Sequence, residues 1–241
     1  MFSKCIVIGA SSGIGEQLVL QLAHPSRTVA AIARRKERLD QVADQARGPV
    51  LTYAHDVTDY DAAPELFEGI VEELGGVDLV IYCAGVMPSV DEGEYNWAKD
   101  RAMLEVNLLG AVRWLDLAAG QMEAQRSGTI VGISSVAGDR GRRGAPVYTA
   151  SKAGFTAYLE ALRNRCTRYG VDIVTVKPGP VRTSMTEGMK LPFMIDADQA
   201  AAGVLKLAEG GTGTGYVPKI WSPIMGIIQH VPSFIFRKTN V

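Results

Sequence analysis

The stretch of sequence that decides the fold lies near the start of the chain, where residues 4–23 read KCIVIGASSGIGEQLVLQLA. Cys5–Ile8 is a short apolar run rich in β-branched residues, which predicts a strand, and Glu16–Ala23 has the residue spacing of a helix. A glycine-rich loop joins the two. Glycine lets backbone N–H groups approach a pyrophosphate closely, and the N-terminus of the helix adds favourable positive potential.

This glycine loop predicts a binding site for the phosphates of a dinucleotide. Its spacing is GxxxGxG rather than the commoner GxGxxG, so a tight strand-to-helix turn without a ligand is the alternative. The residues predicted to contact the cofactor in this loop are Gly9, Ser11, Ser12, Gly13, Ile14 and Gly15.

Apolar runs and helical patterns continue to alternate along the chain. Further strands are predicted at Thr28–Ala33, Val50–Ala54, Val77–Cys83, Gly128–Ser134, Val171–Val176 and Gly215–Val217. Further helices are predicted at Lys36–Gln45, Pro64–Leu74, Val147–Tyr169 and Asp198–Leu207, with a long helix inside Trp97–Arg126. Continuously apolar strands separated by helices are typical of a parallel sheet covered on both faces. We therefore predict an α/β protein, a single-domain Rossmann-type doubly wound parallel sheet with helices on both faces.

Composition and charge disfavour several classes of protein. Hydrophobic residues make up 47% of the 241 residues and charged residues 21%, which is ordinary for a globular protein. A net charge of −1 does not favour nucleic acid as a partner. The three histidines lie far apart, so we predict no metal site. The three cysteines have no CxxC spacing and no signal peptide is evident, which favours a cytoplasmic location.

The residues after the second predicted strand bear on the choice of cofactor. In NAD-binding sheets, an acidic residue about 20 residues into the unit binds the ribose hydroxyls. Here the corresponding stretch is Ala33-Arg34-Arg35, with no acid. A guanidinium binds a 2′-phosphate through two charge-assisted hydrogen bonds, whereas a carboxylate would repel it. We therefore predict NADP(H), bound by Arg34 and Arg35; the alternative is two solvated arginines before a helix.

A tyrosine and a lysine one helical turn apart predict acid–base chemistry. Tyr148 and Lys152 are four residues apart in a predicted helix, so they share a face. A nearby ammonium lowers the pKa of a tyrosine, which suits proton exchange with a carbonyl or alcohol oxygen. The same spacing recurs at Tyr95 and Lys99. That pair follows an acidic, loop-like stretch and is predicted to lie on the surface, whereas Tyr148 follows a strand whose carboxyl end should border a ligand site.

In their order along the chain, these motifs resemble those of the classical short-chain dehydrogenase/reductase family, over about residues 5–210. The glycine loop resembles the cofactor signature of the family. Three further motifs resemble its adenine pair, the end of its Asn-Asn-Ala-Gly motif and its nicotinamide carboxamide segment. In this chain they are Asp56-Val57, Ala84-Gly85, and Pro178-Gly179 with Val181 and Thr183.

The resemblance also implies a catalytic tetrad of Asn107, Ser135, Tyr148 and Lys152. Ser135 is chosen over Ser134 because it lies 13 residues before Tyr148, the usual spacing in the family. Hydride would pass between the nicotinamide and a substrate carbon while Tyr148 exchanges a proton with the oxygen. Lys152 would lower the pKa of Tyr148 and hold the ribose hydroxyls. Ser135 would hydrogen-bond the substrate oxygen, and Asn107 would position a water that links Lys152 to solvent.

The chain departs from the family at one motif. Tyr82-Cys83 replaces the paired asparagines that help to fix the loop beside the cofactor. Cys83 is interpreted as a small buried strand residue rather than a redox residue. The predicted function is an NADP(H)-dependent oxidoreductase that interconverts a carbonyl and an alcohol. A regulatory or scaffold protein that binds the cofactor with little turnover is the alternative.

The substrate side is predicted within a catalytic domain at residues 1–219, in a loop at residues 184–197. The apolar side chains of this loop are Met185, Met189, Leu191, Pro192, Phe193 and Met194. Flexible thioethers and an aromatic ring suit an adaptable pocket for a lipophilic carbonyl or alcohol, although they could also simply pack a lid onto the core. Arg140, Arg142 and Arg143 could attract an anionic substrate group or form a solvated loop.

An apolar extension follows at residues 220–241. Its residues 220–236 have helical spacing, but the stretch is too short and too interrupted to span a membrane. Three interpretations remain open: a subunit interface or pocket cover, a membrane-surface anchor through residues 220–238, or a disordered end. The family resemblance implies a homodimer or homotetramer.

Overall fold

Seven parallel strands form the central sheet of the computed structural model, which describes residues 2–91 and 93–239. The strands, in chain order, are β1 (Lys4–Ile8), β2 (Thr28–Ala33), β3 (Val50–Ala54), β4 (Leu79–Tyr82), β5 (Gly128–Ile133), β6 (Val171–Pro178), β7 (Val181–Arg182), β8 (Ile195–Asp196) and β9 (Gly213–Val217). Their order in the sheet is β3-β2-β1-β4-β5-β6-β9, while β7 and β8 pair with each other separately. The predicted doubly wound parallel sheet is confirmed.

Helices cover both faces of this sheet. They are α1 (Gly13–Leu22), α2 (Lys36–Gln45), α3 (Ala63–Leu74), α4 (Trp97–Leu104), α5 (Gly110–Gln125), α6 (Pro146–Cys166), α7 (Ala197–Glu209), α8 (Trp221–His230) and α9 (Ser233–Phe236). The predicted domains at residues 1–219 and 220–241 include Met1, Glu92, Asn240 and Val241, which lie outside the described residues.

The strands are apolar throughout because both of their faces are buried. Successive side chains of a strand point to opposite faces of the sheet. In β1, Ile6 and Ile8 therefore pack on the side of α3, α5 and α6, whereas Cys5 and Val7 pack on the side of α1, α2 and α7. All four side chains are completely buried.

The predicted long helix at Trp97–Arg126 is interrupted by a π-helical turn at Glu105–Leu109. Here the Gly110 N–H donates to the Glu105 carbonyl, five residues back, instead of to Val106. The Tyr82 hydroxyl, at the end of β4, donates to the freed Val106 carbonyl at 2.6 Å. Residue spacing alone could not predict this turn, because its hydrogen bonds depend on a residue from a distant strand.

The C-terminal extension folds back onto the domain. Trp221 and Met225 of α8 are buried against Val136, in a short helical turn at Val136–Asp139. The Arg140 guanidinium donates to backbone carbonyls of the extension, at 3.0 Å to Gln229 and 2.9 Å to Val231. It also lies over the ring of Phe236, 4.7 Å from its centroid. Within the described residues, no helix is long and apolar enough to cross the hydrocarbon core of a membrane.

Candidate active site

A cavity of about 390 Å³ opens at the carboxyl edge of the sheet. Parallel strands bring their carboxyl ends to one edge, where such sheets bind ligands. The predicted site residues that line it are Gly9, Ser11, Ser12, Gly13, Ile14, Arg34, Arg35, Asp56, Val57, Ala84, Gly85, Ser135, Tyr148, Lys152, Pro178, Gly179, Val181 and Thr183. Two predicted residues do not line it: Gly15 supports the glycine loop from behind, and Asn107 is completely buried.

The glycine loop forms one wall of this cavity. Gly9 and Gly13 have φ angles of 91° and 59°, which side chains disfavour. A Cβ atom on Gly9 would lie 2.4 Å from the backbone nitrogen of Ala84, and one on Gly15 would lie 2.1 Å from the Gly9 carbonyl oxygen. The loop therefore needs glycine for close backbone packing. The Ser12 side chain does not cap α1, so it leaves the first N–H groups of that helix for other partners.

Two arginines border the same wall. The Arg35 guanidinium donates to the hydroxyls of Ser11 and Ser12, at 2.9 and 3.0 Å. Arg34 lies 3.7 Å from a carboxylate oxygen of Asp56, and its side chain is 64% exposed. The Arg35 guanidinium and the hydroxyls of Ser11 and Ser12 thus lie together at the end of β2. A 2′-phosphate bound there would need hydrogen-bond donors of this kind.

Asp56 is held ionised beside these arginines. Its carboxylate accepts hydrogen bonds from the Thr58 backbone and hydroxyl, at 3.0 and 2.8 Å. Burial acts to raise the pKa of Asp56, but these hydrogen bonds and the charge of Arg34 outweigh it and hold the pKa below its usual value.

Ser135 and Tyr148 are hydrogen-bonded through their side chains. The Ser135 oxygen also accepts a hydrogen bond from the backbone of Ala137 at 3.0 Å. The Ser134 hydroxyl lies elsewhere, 3.0 Å from the Lys152 carbonyl and 2.7 Å from the Thr156 hydroxyl. Of the two serines, only Ser135 is therefore in position to share a substrate oxygen with Tyr148.

Burial raises the pKa of Tyr148, while the hydrogen bond from Ser135 and the charge of Arg142 partly offset it. The phenol therefore carries its proton at neutral pH, as a donor to a carbonyl oxygen must. Arg142, from the loop before α6, is a cation whose charge acts to lower the pKa of Tyr148.

Lys152 is buried beneath this pair. Its ammonium donates to the Ile133 carbonyl at 2.9 Å and lies 6.0 Å from the centroid of the Tyr148 ring. Burial disfavours the charged form and lowers the pKa of Lys152 to about 8. A Cβ atom on Gly85 would lie 3.6 Å from this nitrogen, so glycine keeps the space in front of it open.

Asn107 holds the loop that follows β4. Its amide oxygen accepts from the Val86 N–H at 2.7 Å, and its amide nitrogen donates to the Val86 carbonyl at 3.0 Å and to the Ser151 hydroxyl at 3.2 Å. Asn107 therefore ties the π-helical turn and α6 to the floor of the cavity.

The two residues that depart from the family motif both have structural explanations. Tyr82 supports the π-helical turn that carries Asn107. Burial raises the pKa of the Cys83 thiol to about 11, so the thiol stays protonated at neutral pH, as suits a small packing residue.

The second tyrosine–lysine pair lies outside the cavity. Tyr95 is 97% exposed, as predicted. Lys99 forms an ion pair with Glu94 at 2.7 Å and donates to the Ser89 carbonyl at 2.6 Å. Equal spacing in sequence therefore leads to different surroundings.

Sequence reasoning missed Trp221 of the extension. This residue lines the cavity, and its indole packs so tightly on Gly179 that a Cβ there would lie 2.0 Å from Nε1. Phe193 of the predicted loop meets Trp221 edge to face, with ring centroids 6.0 Å apart. Of the apolar loop side chains, Met185 and Leu191 line the cavity. The extension thus contributes to the site, and only its helical spacing was visible in sequence.

Of the three arginines before α6, Arg142 lines the cavity, whereas Arg140 and Arg143 lie together beside the extension. Arg140 binds the extension and Arg142 lines the cavity, so neither is simply solvated. Within the described residues, no group of three or more histidine, cysteine or acidic side chains could hold a metal ion.

Comparison with known proteins places this geometry in context. A family model described as short chain dehydrogenase matches residues 3–191. An uncharacterized oxidoreductase of Myxococcus xanthus is 34% identical over 204 residues, which cover 83% of this chain and 81% of that protein. Carbonyl reductase family member 4 of Xenopus tropicalis is 31% identical over 226 residues, which cover 90% of this chain and 95% of that protein.

A solved structure is also similar to this chain. A variant of actinorhodin polyketide ketoreductase with NADPH superimposes with a TM-score of 0.80 at 25% identity, covering 88% of this chain and 94% of that one. All of the predicted tetrad and cofactor residues lie within the part of the chain that the family model matches.

Proposed function

The chain belongs to the short-chain dehydrogenase family of oxidoreductases, and from this premise we propose that it is an NADP(H)-dependent enzyme that interconverts a carbonyl and an alcohol. The observation that carries the proposal is the buried arrangement of Tyr148, hydrogen-bonded to Ser135 and one helical turn from Lys152, at the edge of one cavity. A scaffold protein would need the residues that bind the cofactor. It would not need the acid–base group of Tyr148, Ser135 and Lys152.

The residues around the cavity fit the phosphate groups of NADP(H). The glycine loop allows close approach of the backbone, and α1 directs its N-terminus to the same place. Arg35, with Ser11 and Ser12, supports NADP(H) over NAD(H), because hydrogen-bond donors lie at the end of β2, where the chain of an NAD-binding sheet carries an acidic residue. When bound, NADPH supplies a hydride to the substrate carbon.

The residues of this chain then manage the proton. Tyr148 donates its phenolic proton to the carbonyl oxygen, so that the carbon gains hydride, the oxygen gains a proton and an alcohol results. Ser135 hydrogen-bonds the same oxygen, where negative charge develops. Lys152 holds the ribose hydroxyls and favours loss of the proton from Tyr148.

Asn107 keeps the floor of the site in place through Val86. Both polar atoms of its side chain are engaged. A water that links Lys152 to solvent would therefore bind most readily to the backbone of the π-helical turn.

The substrate class, assembly and location complete the proposal. Apolar side chains from Val136, Met185, Leu191 and Trp221 line the cavity, which supports a lipophilic substrate. We place residues 1–219 in the catalytic domain and assign the extension at residues 220–241 chiefly as a cover of the pocket. We further propose a cytoplasmic homodimer or homotetramer. Peripheral membrane contact through residues 220–238 is supported by the exposed Ile227, Phe234 and Ile235.

The experiment that tests this proposal is a screen of aldehydes and ketones with purified protein, in which oxidation of NADPH or NADH is followed by absorbance. We expect turnover with at least one lipophilic carbonyl and a higher kcat/KM with NADPH. Tyr148→Phe should lower kcat by about 100-fold or more, because it removes the proton donor, yet still bind NADPH. The matched Tyr95→Phe variant should behave as the wild type.

Two results would contradict parts of this proposal. Higher kcat/KM with NADH would show that the arginines do not select the 2′-phosphate. Near-wild-type turnover by Tyr148→Phe would remove the assigned proton donor.

A further inference from the structure

Two polar side chains outside the proposed tetrad and cofactor contacts line the cavity. They are Trp221 from α8 and Arg142 from the loop before α6, and Tyr148 lines the same cavity. Their surroundings decide which of them a substrate could bind.

Trp221 presents a buried donor. The residue is only 7% exposed, and its Nε1 atom has no hydrogen-bond partner within the described residues. The indole N–H can only donate, and a donor buried without an acceptor is unfavourable. The indole nitrogen packs against Gly179 and is closed off from the cavity, so Trp221 contributes an apolar wall rather than a donor to a substrate.

Arg142 carries a charge that is not paired within the part of the chain that the structure describes. Among residues 2–91 and 93–239, no hydrogen bond or ion pair to its guanidinium is found. Asp139 is the acidic residue that acts on it, but the carboxylate of Asp139 pairs with the Lys177 ammonium and accepts the Tyr216 hydroxyl at 2.8 Å. Burial lowers the pKa of Arg142, as expected for a poorly solvated cation.

Within the described residues, no acidic side chain other than Asp139 acts on Arg142. Arg140 is also a cation, and its donors are taken by the backbone of the extension. The neighbouring wall is apolar, with Val136 and Leu191. The substrate side therefore combines an apolar surface with the guanidinium of Arg142.

Resting on the proposed function, we propose that the substrate is a lipophilic oxo acid, whose carboxylate binds Arg142 while its carbonyl reaches Tyr148. A planar guanidinium binds a carboxylate through two parallel hydrogen bonds. A neutral ketone would leave the guanidinium without a counter-charge. Arg142 is thus a specificity-determining residue.

The test compares unbranched oxo acids with their methyl esters, at graded spacings between the carbonyl and the carboxylate, by kcat/KM with NADPH. For at least one spacing, we expect the acid to be preferred over the ester by roughly 10-fold to 100-fold, the usual range for a hydrogen bond to a charged group. In Arg142→Gln this ratio should fall close to one. Trp221→Phe keeps an aromatic wall and removes only an N–H that is closed off from the cavity, so it should leave the ratio unchanged.

The matched control is Arg165→Gln, which removes the same charge from the exposed far end of α6 and should keep the acid-to-ester ratio. Esters turned over as well as acids at every spacing would overturn the inference. So would an Arg142→Gln variant that loses acid and ester activity equally, or one that mainly weakens NADPH binding, because Arg142 would then serve the fold or the cofactor.

Failure of the proposed function is distinguishable, because it would appear as no turnover of any acid, ester or neutral carbonyl. Binding tests the inference independently of turnover. Calorimetric titration of the protein with NADPH present should show decanoate binding more tightly than decanol, and a Kd for decanoate at least about 10-fold higher in Arg142→Gln. An unchanged Kd in that variant would overturn the inference.

Discussion

At the scale of single residues, Lys152 is the most consequential buried charge in the site. Its ammonium is removed from water and has one backbone acceptor, the Ile133 carbonyl. Burial therefore lowers its pKa to about 8 from an ordinary value of 10.5. The burial of Lys152 at the wall of the cavity thus makes its charge sensitive to pH.

This shift predicts how stability depends on pH. Below pH 8 the folded and unfolded chains both carry the proton, so the cost of burying the ammonium is fully present. Above pH 8 and up to about 10.5 the unfolded chain binds more protons at Lys152, so raising the pH favours the folded state by at most about 1.4 kcal/mol per pH unit.

The measurement is the free energy of urea unfolding, without cofactor, for the wild type and Lys152→Met between about pH 7 and 9.5. We expect the difference, wild type minus variant, to be flat at first and to rise above pH 8. Comparison with the variant cancels the contributions of cysteines and tyrosines. Lys36→Met, an exposed lysine, should give a flat difference; a flat difference for Lys152→Met would contradict the assignment.

At the scale of elements, the π-helical turn between α4 and α5 depends on Tyr82. The turn frees the Val106 carbonyl, and the Tyr82 hydroxyl satisfies it at 2.6 Å. Gly110 accommodates this contact, because a Cβ there would lie 2.8 Å from the same hydroxyl. The π-helical turn also places Asn107 against Val86. Tyr82 of β4 therefore supports the floor of the site from behind.

Removing this hydroxyl should destabilise the protein measurably. Tyr82→Phe would leave the Val106 carbonyl buried without a partner, at a cost of about 1–3 kcal/mol in the free energy of unfolding. Tyr53→Phe makes the same chemical change where the partner, Glu73, is exposed and water can replace the hydroxyl. Urea unfolding of both variants checks this prediction, and equal stability of the two would contradict it.

At the scale of the whole molecule, the C-terminal extension packs beside the cavity, and its Trp221 lines it. Its buried side, with Trp221 and Met225, packs on the turn that follows β5, and Arg140 fastens its far end. Its outer side leaves Ile227, Phe234 and Ile235 exposed. The inner side favours a pocket cover, and the outer side leaves a surface for a second subunit or a membrane.

Deleting residues 220–241 should therefore affect catalysis more than cofactor binding. We expect kcat/KM for carbonyl reduction to fall by about 10-fold or more, because Trp221 and the packing on Gly179 are lost, with little change in the Kd for NADPH. Arg140→Met removes only the hydrogen bonds from Arg140 to the extension. It should also lower kcat/KM, but by less than the deletion does. Steady-state kinetics and NADPH titration provide the measurement.

The same deletion separates the roles of the outer surface. Size-exclusion chromatography and liposome sedimentation would be compared for the full and shortened chains. A smaller oligomer would assign the surface to a subunit interface. Unchanged catalysis and oligomer size, together with lost liposome binding, would overturn the pocket cover in favour of a membrane anchor.

The sequence by itself determined the sheet, its helices and the glycine loop. These features follow from interactions between residues close in the chain: alternate apolar side chains of β1 must face two layers, and Gly9 needs a positive φ. Ordered motifs also predicted most residues that line the cavity, because the carboxyl ends of parallel strands necessarily meet at one edge.

Only the tertiary structure decided which neighbouring side chains meet. It separated Ser135 from Ser134, gave Arg140 to the extension and Arg142 to the cavity, and brought Trp221 onto Gly179. These choices depend on contacts between segments far apart in sequence and on the direction of single side chains. The spacing of residues in sequence encodes neither the long-range contacts nor the side-chain directions. For this reason, Tyr95 and Lys99 have the same spacing as Tyr148 and Lys152, but only Tyr148 and Lys152 lie at the cavity.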